Sequence, residues 1–457
     1  MTLTPLIPAP LDPHFQPLSL FNRHYVTAAV AAGATVPLVI GLEREGGLLS
    51  RYETIVRAEV DAGTLFYVER IVKFLLWARG GWRVYVGGPA AIGEAIQASY
   101  SATGQRQFDV DLMTRVYEKP FAVIVTTAAA VPAAREVNVT LGGHLDGCRI
   151  GFDLGASDYK IAAVQDGQVV YSDEFPWNPK DQPDPEYHYR HLAAGLKKAA
   201  AHLPRVDAIG GSSAGVIVNN QFMVASLLRA VPPEHFDRAK TIFLRLRDEW
   251  QVPLEVANDG DVTALAGAMS LTASGLLGIA MGSSQAVGYL NPAGGMTGWL
   301  SELAFAPVDG NPRAAADEWS GDLGVGVMYF SQQAVNKLLP AAGITLPADL
   351  DLPGRLKAVQ QLMAAGDPRA RLIYETIGVY FGYAIALYAD FYEFDGLLIL
   401  GRVTTGMGGD LVLEKAREVL RAEFPALAAK IQLHVPDEKS KRVGQAVAAA
   451  SLPPLKK

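Results

Sequence analysis

The stretch Val256-Ala257-Asn258-Asp259-Gly260-Asp261-Val262-Thr263-Ala264-Leu265 decides how the chain is read. A short apolar run is followed by Asn-Asp, then Gly-Asp, then a run of helical character. The pattern predicts a strand whose tip hands over directly to a helix. One carboxylate and one carboxamide sit at that tip, where a rigid strand can hold them toward a small molecule. Asn and Asp are also ordinary turn and helix-cap residues, so the pair alone does not separate catalysis from capping. The flanking sequence has to decide.

Upstream, residues 236–250 have helical spacing and feed a strand at 252–257. Before them come a helix at 186–203 and a segment at 208–218. That segment carries the small-residue strand end Gly210-Gly211-Ser212-Ser213-Ala214-Gly215. Residues 149–152, 159–164 and 168–175 are apolar β-type runs, separated by Asp153-Leu154-Gly155-Ala156-Ser157 and Asp166-Gly167. They predict a β-meander. A tight Gly/Ser turn lets backbone N–H groups approach phosphate oxygens, and Asp153 can hold Mg²⁺ through water. Asp and Gly are equally the residues of a plain hairpin turn.

Downstream, residues 275–280 and 286–290 predict a second meander around Met281-Gly282-Ser283-Ser284, continued by a run at 297–300. Ser301-Glu302-Leu303-Ala304-Phe305-Ala306-Pro307 follows. Then come a helix at 325–339, a looser connection at 340–368, and a long apolar helix at 370–391. A buried strand at 394–400 ends in Gly401-Arg402-Val403, and Gly408-Gly409-Asp410 leads into a helix at 411–423. A strand near 430–434 and a small-residue helix at 440–450 close the chain. Two similar halves, each opening on a meander with a glycine-containing tip, make an α/β fold suited to phosphoryl transfer.

Residues 1–20 predict a proline-rich extended arm. A hairpin at 36–42 and 51–59, a helix at 65–79, a strand at 82–86, a helix at 90–100 and a strand at 120–127 follow. Residues 1–147 therefore form a small α/β domain of their own, of unknown role. Its Gly87-Gly88-Pro89 turn is a tight strand-to-helix connection that also suits a nucleotide.

The 457 residues suffice for two or three domains, and with 50% apolar and 19% charged residues they can form sizeable cores. The net charge of −7, without a long Lys/Arg run, argues against nucleic acid or an acidic membrane held by bulk charge. The single cysteine, Cys148, excludes an intrachain disulfide and a cysteine-rich metal site. The longest apolar stretches are too short to span a bilayer, and the start lacks a basic-then-apolar leader. The expectation is a soluble, cytoplasmic protein.

Taken in order, Asp153-Leu154-Gly155-x-Ser157, Gly210-x-Ser212-Ser213-Ala214-Gly215, Asn258-Asp259-x-Asp261, Met281–Ser284, Ser301–Pro307 and Leu400-Gly401-Arg402 with Gly408-Gly409-Asp410 resemble the ROK family. That family contains sugar kinases and sugar-responsive repressors. The likeness covers about residues 149–452. It implies a two-lobed, actin-like ATPase fold with ribonuclease H-like lobes, behind the extra N-terminal domain. The first lobe would span 148–264, with a C-terminal helix at 440–453 returning to it, and the second 265–439.

The resemblance also implies roles. Asp259 would be the catalytic base, and Asn258, Glu302 and Ser213 would bind a sugar. Asp153, Gly155, Ser157, Lys160, Gly282, Ser283, Ser284, Gly401, Arg402 and Gly409 would serve ATP and its Mg²⁺, with Asp153 reaching the metal through water. Asp261 is read as a helix cap. The chain departs from the family pattern in several places. Phe305 replaces the family's His, and no cysteine cluster follows, so no zinc is expected. Val327 stands where a second sugar-binding Glu is usual. Ser284-Gln285-Ala286 replaces glycines, Arg402 replaces a second glycine, and Asp158-Tyr159 is an added pair. The implied activity is an ATP-dependent carbohydrate kinase with a small-molecule sugar substrate, and a homodimer is compatible with it. A non-catalytic sugar or nucleotide sensor and a partner-dependent ATPase are the other functions this fold serves.

Overall fold

Pro17, with φ −58°, leads the chain into the first helix, where proline's fixed φ suits the entry. A computed structural model describes residues 4–138, 142–155, 158–271, 273–435 and 438–455, of which 438–443 by backbone only. Helix α1 (Leu18–Ala31) replaces the end of the expected extended arm. Its buried face mixes Leu18 and Tyr25 with Ser19 and Asn22, which blurs the apolar periodicity. The hairpin β1 (Thr35–Glu43) and β2 (Leu49–Arg57) follows as expected. Helix α2 (Ala62–Arg79) starts where the Asp61 carboxylate accepts the Thr64 N–H at 2.7 Å. Strand β3 (Arg83–Gly87), helices α3 (Ala90–Ser99) and α4 (Gln107–Tyr117) and strand β4 (Ala122–Thr126) complete this region. The sheet order is β2-β1-β3-β4, antiparallel except for the β3–β4 pair. Helix α2 is buried on nearly all sides, Lys73 included.

The meander is β5 (Cys148–Leu154), β6 (Asp158–Gln165) and β7 (Gln168–Pro176). Then come α5 (Pro185–Ala200), β8 (Ala208–Ser213), the small hairpin β9 (Val216–Val218) and β10 (Gln221–Val224), α6 (Phe236–Lys240), α7 (Ile242–Trp250), β11 (Leu254–Asn258) and α8 (Asp259–Leu271). The single helix expected at 236–250 is broken at Thr241. The five-stranded sheet runs β11-β8-β5-β6-β7; β5, β8 and β11 are parallel, and β5, β6 and β7 antiparallel. Phe152, Leu192, Leu196, Phe222, Phe243 and Leu246 belong to its core.

Next are β12 (Leu276–Met281), β13 (Gln285–Leu290), α9 (Gln332–Leu338), α10 (Leu352–Ala364), α11 (Pro368–Tyr388), β14 (Gly396–Leu400), α12 (Met407–Glu423), α13 (Pro425–Lys430), β15 (Gln432–His434) and α14 (Glu438–Ala450). The sheet order is β13-β12-β14-β15. The run at 297–300 is not a strand. The helix expected over 325–339 is a 3-10 turn at Gly326–Met328 followed by α9, because extended Ser331 interrupts it and caps α9, accepting the Gln333 N–H at 3.0 Å. Helix α12 begins at Met407, so Gly408 and Gly409 lie in its first turn rather than ahead of it.

The chain divides into two compact units. The first contains Met1–Val137, Ile279–Val287 and Gly298–Val435; the second contains Asn138–Gly278, Gly288–Thr297 and Pro436–Lys457. Within the first, α2 packs through Phe74, whose ring lies 4.2 Å from that of Phe391 and 6.0 Å from that of Tyr388. Within the second, α14 lies directly on β5 and β8. A Cβ at Gly151 would fall 1.8 Å from the Ala446 carbonyl oxygen, and one at Gly210 would fall 1.7 Å from that of Ala449, so both positions require glycine. Among the described residues no helix is long and apolar enough to cross a membrane.

Candidate active site

Strand register brings several candidate residues of the second unit together. Ala257, Ser212 and Asp153 are neighbours across β11, β8 and β5, and Asn258, Ser213 and Leu154 form the next rung. All lie at the carboxyl ends of parallel strands, where open α/β sheets present ligand-binding groups. Asp153 is almost fully buried, and one of its oxygens accepts the Ser212 hydroxyl at 2.7 Å. Lys160 faces Asp153 in the β5–β6 register, and its charge favours the ionised form of Asp153. Burial outweighs these two, so the Asp153 carboxyl is raised above the ordinary carboxylate range.

The Asn258 carboxamide holds the turn. Its nitrogen donates to the Gly215 carbonyl at 2.8 Å, and its oxygen accepts the Gly260 N–H at 2.8 Å. Gly260 N–H also reaches Asp259 Oδ1 at 3.0 Å. The turn is pressed onto β13, where a Cβ on Gly288 would fall 1.9 Å from the Gly260 carbonyl oxygen. Asp259 begins α8 and is partly exposed. Burial, followed by the nearby Asp153 charge, raises its carboxyl to about 6.

Asp261 is not the helix cap expected of it. It is the third residue of α8, and the capping oxygens belong to Asn258 and Asp259. Burial raises its carboxyl to about 7, against a bond from the Tyr289 N–H that lowers it. Two adjacent carboxyls thus sit well above the ordinary range, a pattern typical of functional sites.

Gly155 closes the β5–β6 tip: its N–H donates to the Asp158 carbonyl at 3.0 Å, and its carbonyl accepts the Trp177 indole N–H at 2.9 Å. Ser157 lies outside the described residues. Ser213 is fully buried, and its hydroxyl reaches the Ala214 carbonyl at 3.3 Å.

The remaining candidates lie in the first unit. Gly282 N–H donates to the Ser284 carbonyl at 2.9 Å, and the turn exposes Ser283 and Ser284. Behind it Gln285 is buried, with its amide nitrogen on the Tyr388 hydroxyl at 3.2 Å. The β14 tip is Gly401, at φ 100° and with Met281 backbone atoms 2.5–2.7 Å from where a Cβ would lie. Arg402 is exposed, and its carbonyl accepts the Gln360 amide at 2.8 Å. Gly409 is buried in α12, against the Thr404 carbonyl.

Glu302 and its neighbour rest on the end of α2: Glu302 N–H donates to Trp77 O and Ser301 N–H to Ala78 O, both at 2.9 Å. Phe305 is enclosed by aromatic rings, with centroids 4.5 Å away at Trp77, 5.7 Å at Phe108 and 5.3 Å at Trp319. Val327 is buried in the following 3-10 turn. The sequence reading missed Ser212 as a partner of Asp153, because strand register pairs them and no local motif does. It also missed the aromatic enclosure of Phe305, built from residues far apart in the chain.

Among the described residues no group of three or more His, Cys, Asp or Glu gathers as a metal site. Asp153 alone still suits a water-bridged Mg²⁺: Ser212 engages one of its two oxygens, and burial leaves its negative charge undercompensated.

No family model matches the chain. No curated protein matches it either. Solved structures do match. A ROK hexokinase from Thermus thermophilus superposes with a TM-score of 0.50 at 17% identity, over 66% of this chain and 97% of its own. A ROK family glucokinase from Streptomyces griseus, solved with glucose and AMPPNP, gives 0.50 at 18% identity, over 67% of this chain and 99% of its own. A ROK family transcriptional regulator, a homologue of E. coli MLC, gives 0.52 at 17% identity, over 84% of this chain and 96% of its own. At these identities the likeness is one of fold, and the chain has the actin-like ATPase fold of the ROK family.

Proposed function

We propose that the protein is an ATP-dependent carbohydrate kinase of the ROK type, with Asp259 as general base. The observation that carries this reading is Asp259 itself: a carboxylate at a rigid strand tip, partly exposed, and tuned by burial and by Asp153 to about 6. A base in that range is ionised at neutral pH yet basic enough to take a proton from a hydroxyl.

Asp259 accepts the proton of the acceptor hydroxyl as that oxygen bonds to the γ-phosphorus of ATP; the bond from phosphorus to the bridging oxygen breaks, and ADP leaves with that electron pair. Asn258 fixes the turn that aims Asp259. Glu302 would orient the sugar, while Ser213, fully buried with its hydroxyl on the Ala214 carbonyl, would act from behind by holding the β8 end. Asp153, steadied by Ser212, would hold Mg²⁺ through water, and Lys160 beside it balances phosphate charge. The ion, when bound, supplies charge neutralisation on the phosphates. Gly155, Ser157 and Gly282–Ser284 would serve the phosphates, and Gly401, Arg402 and Gly409 would serve the adenosine. Cytoplasmic ATP suits this chemistry. A glucokinase of the same fold, solved with glucose and AMPPNP, supports the ligand classes.

A second reading, a sugar-binding regulator without catalysis, is favoured by Phe305, which occupies the family's His position inside an aromatic cluster. The test incubates the protein with Mg·ATP and a panel of sugars while ADP and phosphosugar are followed. Sugar-dependent ADP formation supports the kinase. Sugar binding by calorimetry without turnover overturns it in favour of the regulator.

A further inference from the structure

The first unit contains a cavity of about 630 Å³, within the range typical of small-molecule sites. None of its lining residues has a role in the phosphoryl-transfer reading. Its walls come from α2, α3, the segment before α4 and the loop at 309–323. Glu69, Arg70, Arg106 and Asp322 line it, with side chains only 15%, 8%, 6% and 8% exposed.

These charges form a closed network. Arg106 Nε donates to Glu69 at 2.6 Å, its Nη1 donates to Asp322, and Arg70 Nε donates to Glu69 at 2.5 Å. Behind the wall, the fully buried Lys73 ammonium bridges Asp322 at 2.6 Å and Asp109 at 2.7 Å. Three cations balance three carboxylates here. The fourth carboxylate, Asp309, accepts the Tyr329 hydroxyl at 2.6 Å and the N–H groups of Gln16 at 2.9 Å and Asn311 at 2.8 Å. A phosphate would find no surplus positive charge, and the lining carboxylates Glu69, Asp309 and Asp322 each already accept hydrogen bonds that a cation would have to displace. The carboxamides of Gln105 and Asn311 also line the cavity, beside the apolar surfaces of Phe66, Ile96 and Leu323. Carboxamides, which both donate and accept, with an apolar flank suit hydroxyl groups on a carbon skeleton.

We propose that this cavity binds an uncharged, hydroxyl-rich small molecule at a site separate from the Asp259 chemistry. Occupancy reaches outward through the loop at 309–323. That loop carries Trp319, whose exposed ring packs against Phe305 at 5.3 Å and Phe108 at 5.5 Å.

The full chain is titrated with glucose, sucrose and myo-inositol, and with inorganic phosphate and glycine as charged controls, by calorimetry and tryptophan fluorescence. At least one neutral probe is expected to bind, with a fluorescence change, and to keep its affinity in Glu302→Gln. Leu323→Trp, at an exposed wall residue, should weaken it about tenfold or more, and Ala95→Phe, on another wall, should do the same. Thermal melts establish that both variants are folded. The proposal is overturned if no neutral probe binds, or if phosphate or glycine binds more tightly. It is also overturned if binding survives both cavity variants. Loss in Glu302→Gln alone would assign the ligand to the proposed acceptor site and not to the cavity, whether or not the kinase reading holds.

Discussion

The ring of Trp77, near the end of α2, lies 4.5 Å from the ring of Phe305, centroid to centroid. Trp77 is fully buried, and its indole N–H donates to Asp109. Its carbonyl also accepts the Glu302 N–H. The region ahead of the ROK-like sequence therefore braces the loop that carries the proposed sugar-binding Glu302. It also encloses the Phe305 side chain.

Trp77→Ala should destabilise the fold by about 3–5 kcal/mol, the usual cost of deleting a large buried ring. Because the Glu302 loop loses its support, the KM for sugar should rise more than kcat falls. Chemical denaturation and steady-state kinetics measure the two effects. A stability loss with KM unchanged would show that the brace has no part in substrate binding.

Asp261→Asn should stabilise the protein above neutral pH. The folded-state value of Asp261 is raised to about 7, so its ionisation opposes folding. The stability present below the unfolded value near 4 is lost as pH rises through about 7. Asn keeps an oxygen for the Tyr289 N–H and removes the charge. A gain on the order of 2 kcal/mol at pH 8, vanishing at pH 4, is expected in denaturation curves. An equal effect at both pH values would contradict the burial argument.

Ser212→Ala removes a donor from the Asp153 carboxylate. The Asp153 value, already raised by burial, should rise further, so that a higher pH is needed to ionise it. Mg²⁺ dependence of the reaction should weaken about tenfold, in line with the usual cost of stripping a bond from a buried polar group. Raising the pH should restore part of the loss. An unchanged Mg²⁺ titration would remove Asp153 from the metal's surroundings.

Gly401→Ala places a Cβ within 2.5–2.7 Å of the Met281 backbone at φ 100°, where L residues are strained. Destabilisation of about 1–3 kcal/mol is expected, with weaker binding of a non-hydrolysable ATP analogue by calorimetry. Normal nucleotide affinity in a destabilised protein would mean that this tip is structural only.

The sequence made the strand tips legible because their signals are local. Asp-Gly turns, small-residue strand ends and the Asn258-Asp259 handover each occupy a few consecutive positions. Helix α1 stayed hidden because Ser19 and Asn22 share its buried face. Lys73 is fully enclosed because Asp109 and Asp322 reach it from 36 and 249 residues away, and no local pattern signals that. Asp261 looked like a cap because an Asp beside a helix start is the usual capping residue, yet the capping oxygens are those of Asn258 and Asp259. The aromatic cover on Phe305 depends on residues 77, 108 and 319 meeting, which no local pattern encodes.

The most direct measurement of the central claim is phosphosugar formation by Asp259→Asn beside the wild type, across pH, with sugar binding followed in parallel. The account predicts that the variant binds sugar normally and loses turnover by about a hundredfold or more. It also predicts that wild-type kcat/KM falls as pH drops through about 6, the value to which Asp259 is raised. Undiminished turnover in Asp259→Asn would contradict it.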